Sequence, residues 1–321
     1  MIKRPYKATD WDPEHPMEFP VVILPKVDGV RGLHNHTNLC SRTFEPFANT
    51  FTQRRYNVSQ MAGFDFEIAA GPPTSPSLCR DTTSALNSHG GEPYLELWVF
   101  DLLDAQTEGM GYLDRLVQAH ARVDELKLRC VELPWAANLR KMPYRVVKNY
   151  AELEAAHREH VALGYEGSIV RSIDGKYKFG TSTVREGGYL RIKDFAHDEI
   201  LVEELQEGQT NTNTLESNNL GLAKRSTHQE NMVPNGMVGA LVGRTVKDIY
   251  VNGGKKVIPV GSRVTVSAGK LTEQERLHLL ANPHEIVGKF IKFQHFPHGV
   301  KDKLRFTTFQ SVRPDWDMPK D

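Results

Sequence analysis

Val21-Val22-Ile23-Leu24-Pro25-Lys26-Val27-Asp28-Gly29-Val30-Arg31 opens on an unbroken apolar run and ends in a lysine, an Asp-Gly pair and an arginine. A short continuous apolar run reads as a strand covered on both faces. It predicts an amine, Lys26, at the mouth of a dry strand end, beside a tight Asp-Gly turn and with Arg31 five residues on. A protonated lysine is a poor nucleophile, whereas burial or a neighbouring cation lowers its pKa and makes it a good one. The same letters also spell an ordinary solvated turn. The reading therefore depends on a matching site elsewhere in the chain.

The 321 residues are enough for two domains with their own cores. Forty basic residues balance forty acidic ones, so nucleic-acid binding would have to rest on local patches. No apolar run reaches the length of a membrane span. The start, Met1-Ile2-Lys3-Arg4-Pro5, has no signal-peptide core, and the expectation is a cytoplasmic protein without a membrane partner. Cys40, Cys79 and Cys130 are scattered and odd in number, as expected of reduced thiols without zinc-finger spacing.

Residues 1–20 read as an irregular lead-in. From Val21 to about Phe195 strands and helices alternate. Gly63-Phe64-Asp65-Phe66-Glu67-Ile68 and Leu95–Asp101 alternate as half-buried strands do. A helix is predicted over Tyr112–Lys127, with Leu113, Leu116, Val117, His120, Val123 and Leu126 on one face. Another is predicted over Tyr150–Leu163, opened by Asn149 and Glu152 and stopped by Gly164. Residues 207–236, rich in Asn, Thr, Gly and Ser, read as a long loop. Short β-like runs follow at Val238–Val242, Lys255–Val260, Arg263–Val266 and Ile286–Phe293. One helix interrupts them, opened by Thr272 and Glu275. Strands around a single helix suggest a small barrel such as an OB-fold.

The spelling Lys-x-Asp-Gly-x-Arg resembles the nucleotidyl-acceptor motif of covalent nucleotidyltransferases, the superfamily of DNA ligases, RNA ligases and mRNA capping enzymes. Further segments fit such a site. Glu67 on a strand and Glu166 between a helix and an apolar strand could hold a divalent cation, which prefers oxygen ligands. Arg191 and Lys193 lie on one face of a strand and could grip a phosphate. Phe100 could stack on a base.

In order and rough spacing these segments resemble the motifs of ATP-dependent DNA ligases. Lys26–Arg31 looks like motif I, Ser41-Arg42-Thr43 like the Ser-Arg element after it, and Asp65–Glu67 like motif III. Trp98–Asp101 looks like motif IIIa, Glu166–Arg171 like motif IV and Leu190–Lys193 like motif V, with Arg191 where the family has a lysine. Gly269–Arg276, Asn282-Pro283, Gly288–Ile291 and Arg305–Phe309 resemble the family's OB domain. Arg313-Pro314-Asp315-Trp316-Asp317 resembles motif VI without its lysine. The resemblance covers about residues 20–317 and is nearest the short, two-domain phage type.

It implies an α+β chain. A nucleotidyltransferase domain (ATP-grasp-like ligase) of antiparallel sheets with flanking helices would span 1–196. A C-terminal OB-fold β-barrel would span 197–321 and swing about a junction near Asp194–Asp198. It implies nick sealing in duplex DNA, in replication, repair or recombination, by a monomer acting in the cytoplasm, the host's if phage-encoded. Lys26 would carry AMP. Leu24, Pro25, Val27, Arg31, Arg42, Glu67, Phe100, Arg191 and Lys193 would bind the nucleotide, and Glu67 and Glu166 would bind Mg²⁺ or Mn²⁺. Arg42, Lys224, Arg225, Arg305 and Arg313 would contact DNA. ATP is expected rather than NAD, because three cysteines cannot supply the four-cysteine zinc site of NAD-dependent ligases and no nicotinamide-recognising module precedes Lys26. The alternatives are an RNA ligase, an mRNA capping guanylyltransferase or a non-catalytic OB-fold nucleic-acid-binding protein.

Overall fold

The computed structural model describes residues 2–129, 131–298 and 303–314. Cys130 and the Asp315, Trp316 and Asp317 part of the C-terminal motif lie outside them. The chain divides into two compact units, Met1–Lys193 and Asp194–Asp321.

In the first unit the opening apolar run forms the strand Val21–Pro25, buried at every position. Arg145–Val147 and Ser168–Ser172 flank it, both antiparallel. Alternation sends Val21 and Ile23 into one cluster with Val147, Leu153 and Ala156. It sends Val22 and Leu24 into another with Ala69, Phe100, Tyr112 and Met142. Burial on both faces is why the run is continuous, and each such side chain contributes about 1.5–3 kcal/mol. Tyr189–Ile192 extends the sheet antiparallel, and Thr9–Asp10 adds a parallel edge.

The second sheet runs in the order Leu39–Ser41, Val30–His34, Phe64–Ala69, Glu96–Leu102, Leu139–Lys141, its last pairing parallel. The expected antiparallel sheets thus each carry one parallel edge strand. Here alternation does the sorting. Phe64, Phe66 and Ile68 join Leu97, Val99 and Leu102 in a core with Tyr56, Ala119, Val123 and Leu126. Asp65 and Glu67 take the opposite face. Arg31 shares that face because it is the register partner of Glu67.

The helix Tyr112–Leu128 forms where its spacing predicts, with one correction. Val117 is 46% exposed, and fully buried Arg115 lies on the inward side. The helix Tyr150–Leu163 starts with Asn149 Oδ1 accepting from the Glu152 amide at 2.9 Å. It ends at Gly164 in the left-handed region. No tight left-handed turn forms at Asp28-Gly29, since Gly29 has no positive φ. Glycine is required there by proximity: a Cβ would lie 2.2 Å from the Ile68 carbonyl oxygen.

In the second unit Ala196–Asn211 pairs with Met232–Thr245 and with Phe290–Phe296. Arg263–Ser267 and Arg305–Val312 complete the set, so that each of the five strands has two neighbours. Ile200, Val202, Leu241, Val266, Ile291 and Phe293 fill the interior. The Thr272–Glu275 capping box opens the helix Glu273–Ala281 as its sequence predicts. The strand predicted from Ile286 starts instead at Phe290, because Ile286 ends a short helical turn.

The predicted loop 207–236 is largely strand. Ala196–Asn211 and Met232–Thr245 stay paired out to Asn211 and Met232, and Leu215–Ser217 pairs with Ala223–Arg225 beyond them. Buried Asn213 ties this ribbon. Its amide nitrogen reaches Asn211 Oδ1, Ser226 O and His228 O at 2.9–3.0 Å, and its oxygen accepts from Asn231 at 3.0 Å. Side-chain amides thus replace the apolar packing whose absence made the segment read as coil. Among the described residues no helix is long and apolar enough to cross a membrane.

Candidate active site

Lys26 lies one residue beyond its strand. Its amide donates to Gly167 O at 2.9 Å and its carbonyl accepts from the Glu166 amide at 3.0 Å. This backbone zipper brings residues 140 apart in sequence side by side. It needs Gly167, which has φ +151° and where a Cβ would lie 2.2 Å from Ile192 O. The buried Glu166 carboxylate is shared: Oε2 pairs with Lys26 Nζ and Oε1 with Lys193 Nζ. Burial alone would raise the Glu166 pKa, but the two lysines hold it below the ordinary value. Burial alone would lower the Lys26 pKa, but the Glu166 and Glu67 carboxylates outweigh it and hold the amine above its ordinary value. The expected lowering of the Lys26 pKa by a neighbouring cation is therefore not found.

Arg31 does not supply that cation. Its Nε and Nη2 donate to the two oxygens of Asp65 at 2.8 and 2.5 Å, and Nη1 donates to Tyr6 O at 2.6 Å. Its guanidinium carbon also sits 5.4 Å from the Phe100 ring centre. Arg191 is likewise engaged, by Asp10, with Nη2 to Oδ2 at 3.0 Å. Arg191 and Lys193 thus bind different carboxylates. Asp10, from a lead-in that read as irregular, was missed.

Glu67 makes no hydrogen bond or ion pair among the described residues. Burial pushes its carboxyl up to about 8 against the opposing pull of Lys26 and Arg31. In the unfolded chain it titrates at the ordinary, lower value, so the unfavourable contribution grows as pH rises from about 4.5 towards 8. Glu67→Gln is expected to raise the thermal midpoint by about 3–6 °C at pH 8.5 and by less than about 1 °C at pH 5, read by calorimetry.

Phe100 sits at a β-bulge. Val99 faces Phe66 and Asp101 faces Asp65, leaving Phe100 as the extra residue. It is buried against Leu24 and Val27, the residues flanking Pro25 and Lys26. Pro25 itself pairs with Ser168. Ser168 Oγ lies 2.9 Å from His157 Nδ1 and 2.8 Å from His160 Nδ1. Burial pushes the His160 imidazole down to about 4, so it stays neutral. These histidines anchor the strand that follows Glu166. The signal in sequence was His-x-x-His on an otherwise apolar helix face.

Behind the site lies a buried charge network that the sequence did not reveal. Asp101 accepts from Arg115 at 2.8 and 3.2 Å and from Arg171 at 3.1 Å. The Arg171 guanidinium lies 3.8 Å from the Tyr112 ring centre and 4.1 Å from that of Tyr189.

Of the residues expected to touch DNA, Arg42 and Lys224 are exposed and make no side-chain hydrogen bond or ion pair among the described residues. Arg225 donates to Asn213 O, and Arg313 pairs with Glu199. Arg305 lies over the rings of Phe296 and Phe306 at 5.7 and 5.2 Å. His34 lies on a strand, and His36 follows it and meets Leu103 O at 2.7 Å. Among the described residues no three His, Cys, Asp or Glu side chains are grouped to hold a metal ion.

No protein-family model matches the sequence, and no curated protein does. Solved structures do. One, from a structure–function study of Lig E DNA ligases, matches 98% of this chain and 100% of its own with TM-score 0.68 at 18% identity. The Chlorella virus DNA ligase-adenylate matches 98% of this chain and 100% of its own at 24% identity, with TM-score 0.49. The bacteriophage T7 ATP-dependent DNA ligase in complex with ATP matches 97% and 99% at 15% identity, with TM-score 0.45. The first of these superpositions shows the fold: it is that of the DNA ligases, as the motif order implied.

Proposed function

We propose that this protein is an ATP-dependent DNA ligase that seals nicks in duplex DNA. The observation that carries the reading is the Lys26–Glu166–Lys193 cluster at the end of a buried strand, facing the unpaired carboxyl of Glu67. An enzyme that carries a nucleotide on lysine needs such an amine, held in a dry site and surrounded by groups that move its proton.

In the first step Lys26 Nζ, having lost a proton, attacks the α-phosphorus of ATP. A P–N bond forms, the bond to the bridging oxygen breaks and pyrophosphate leaves. In the second step an oxygen of the 5′-phosphate at the nick attacks the same phosphorus. The P–N bond breaks and Lys26 regains a proton. In the third the 3′-hydroxyl attacks the 5′-phosphorus, loses its proton and expels AMP.

Glu166 positions Lys26 and is the nearest acceptor for its proton. Lys193, held on the other oxygen of Glu166, adds a second positive charge beside the phosphate that Lys26 attacks. Phe100, re-aimed by its bulge, offers a face to adenine between Leu24 and Val27. Arg31 and Arg191, bound to Asp65 and Asp10, border the site and position it.

The donor set suits Mg²⁺ or Mn²⁺ shared with the triphosphate, since Mg²⁺ is commonly held by one or two carboxylates plus substrate phosphates. Glu67, unpaired and raised to about 8, would yield its proton to such an ion, and Glu166 would be the second ligand. A bound cation would offset phosphate charge and favour the neutral amine.

Arg42 in the first unit and Lys224 in the second are the proposed backbone contacts to DNA, with Arg225, Arg305 and Arg313 as further candidates in the second. The second unit is read as an OB-fold, supported by a pairing order that returns to its first strand. With labelled ATP or GTP, followed by nicked DNA or nicked RNA, the expected outcome is an adduct from ATP alone and sealing of DNA at least about 10-fold faster. An adduct from GTP would indicate a capping enzyme. Preference for RNA would indicate an RNA ligase.

A further inference from the structure

The strand Glu96–Leu102 places Trp98 directly opposite Glu67. Register partners in an antiparallel pair project to one face. Phe100, the extra residue of the bulge two positions on, packs in the same cluster as Trp98. Trp98 and Phe100 both pack in the cluster that contains Leu24 and Val27, on either side of Lys26. The indole Nε1–H of Trp98 is buried there and has no acceptor among the described residues. An indole nitrogen only donates. A buried donor left without an acceptor costs about 1–3 kcal/mol, and native proteins keep few of them. Trp98 as a whole is only partly buried.

We propose that Trp98 is a nucleotide-recognition residue. Its Nε1–H donates to a ring nitrogen of the adenine that packs on Phe100. A donor suits the purine ring nitrogens, which are acceptors, and does not suit the exocyclic amino group of adenine. Recognition would combine an aromatic face from Phe100 with one directional hydrogen bond from the residue two positions before it. This inference rests on the nucleotidyl-transfer reading above and adds a base contact to it.

The test has two parts. The first measures AMP-adduct formation against ATP concentration for the wild type and Trp98→Phe. The expected result is a KM raised about 5- to 15-fold, the worth of one hydrogen bond, with kcat changed less than about twofold. The wild type is then assayed with 1-deaza-, 3-deaza- and 7-deaza-ATP and with 2′-deoxy-ATP. One deaza analogue should reproduce the loss in the wild type and add nothing to it in Trp98→Phe. A KM within twofold of the wild type in Trp98→Phe overturns the proposal. So does a loss matched only by the 2′-deoxy analogue, which would assign the donor to the ribose. The second part measures ATP binding calorimetrically in Lys26→Ala with and without Trp98→Phe. A binding loss without any wild-type adduct keeps the contact and rejects the ligase reading. A normal adduct without a binding loss does the reverse.

Discussion

Lys26→Ala is expected to lower AMP-adduct formation and nick sealing by at least about 10⁴-fold, the scale of losing a nucleophile. Among the described residues the other amine paired with Glu166 is Lys193, and it lies on the opposite carboxylate oxygen. It cannot take the place of Lys26 without leaving its own strand end. Removing Lys26 leaves the Lys193–Glu166 pair intact, so the loss should come with a thermal midpoint within a few degrees of the wild type. Lys26→Arg should be equally inactive, because a guanidinium stays protonated and cannot attack phosphorus. In the wild type the carboxylates hold the amine above its ordinary pKa, so the adduct rate should rise with pH through the neutral range. Labelled AMP transfer, measured from pH 6 to 9, checks the activity outcomes, and calorimetry checks the midpoint.

Asp101→Ala should destabilise the chain more than any site substitution. It strips the partner from two buried guanidiniums, those of Arg115 and Arg171. Breaking a buried pair by removing one member costs about 3–5 kcal/mol, since the remaining charge is left uncompensated. A midpoint lowered by roughly 8–15 °C is expected. Burial alone would raise the Asp101 pKa, but Arg115 and Arg171 hold it below the ordinary carboxylate value. Its contribution is therefore present above the unfolded pKa and is lost as pH falls through the lowered folded value. Adding Arg171→Met should recover part of the midpoint by removing one of the stranded charges. A midpoint within about 3 °C of the wild type in Asp101→Ala would contradict this account.

Patterns that report burial were legible in the sequence. The unbroken run Val21–Leu24 foretold a strand covered on both faces. The alternation of Phe64, Phe66 and Ile68 foretold one covered on a single face, but Asp65 on the other face is buried as well. Capping chemistry placed two helix starts, at Asn149 and Thr272. Lys26, Glu166 and Lys193 could be nominated only by motif order, since their meeting depends on backbone pairing across 140 residues. Charge partners were not legible. Arg31 looked like a free cation until Asp65, next to the expected Glu67, claimed it. Arg115 sat in a segment whose pattern gave no reason to bury a charge, and exposed Asp10 in one whose pattern gave no strand. The ribbon around Asn213 hid for the opposite reason, because side-chain amides hold it and amide-rich composition reads as coil.

The experiment that bears hardest on this account is peptide mapping of the protein after incubation with ATP and Mg²⁺. The expected result is one AMP per chain, on the peptide containing Lys26, and its disappearance when nicked duplex DNA is added. Absence of an adduct, or an adduct on Lys193 or any other residue, would contradict the assignment of Lys26 as the nucleotide-carrying nucleophile.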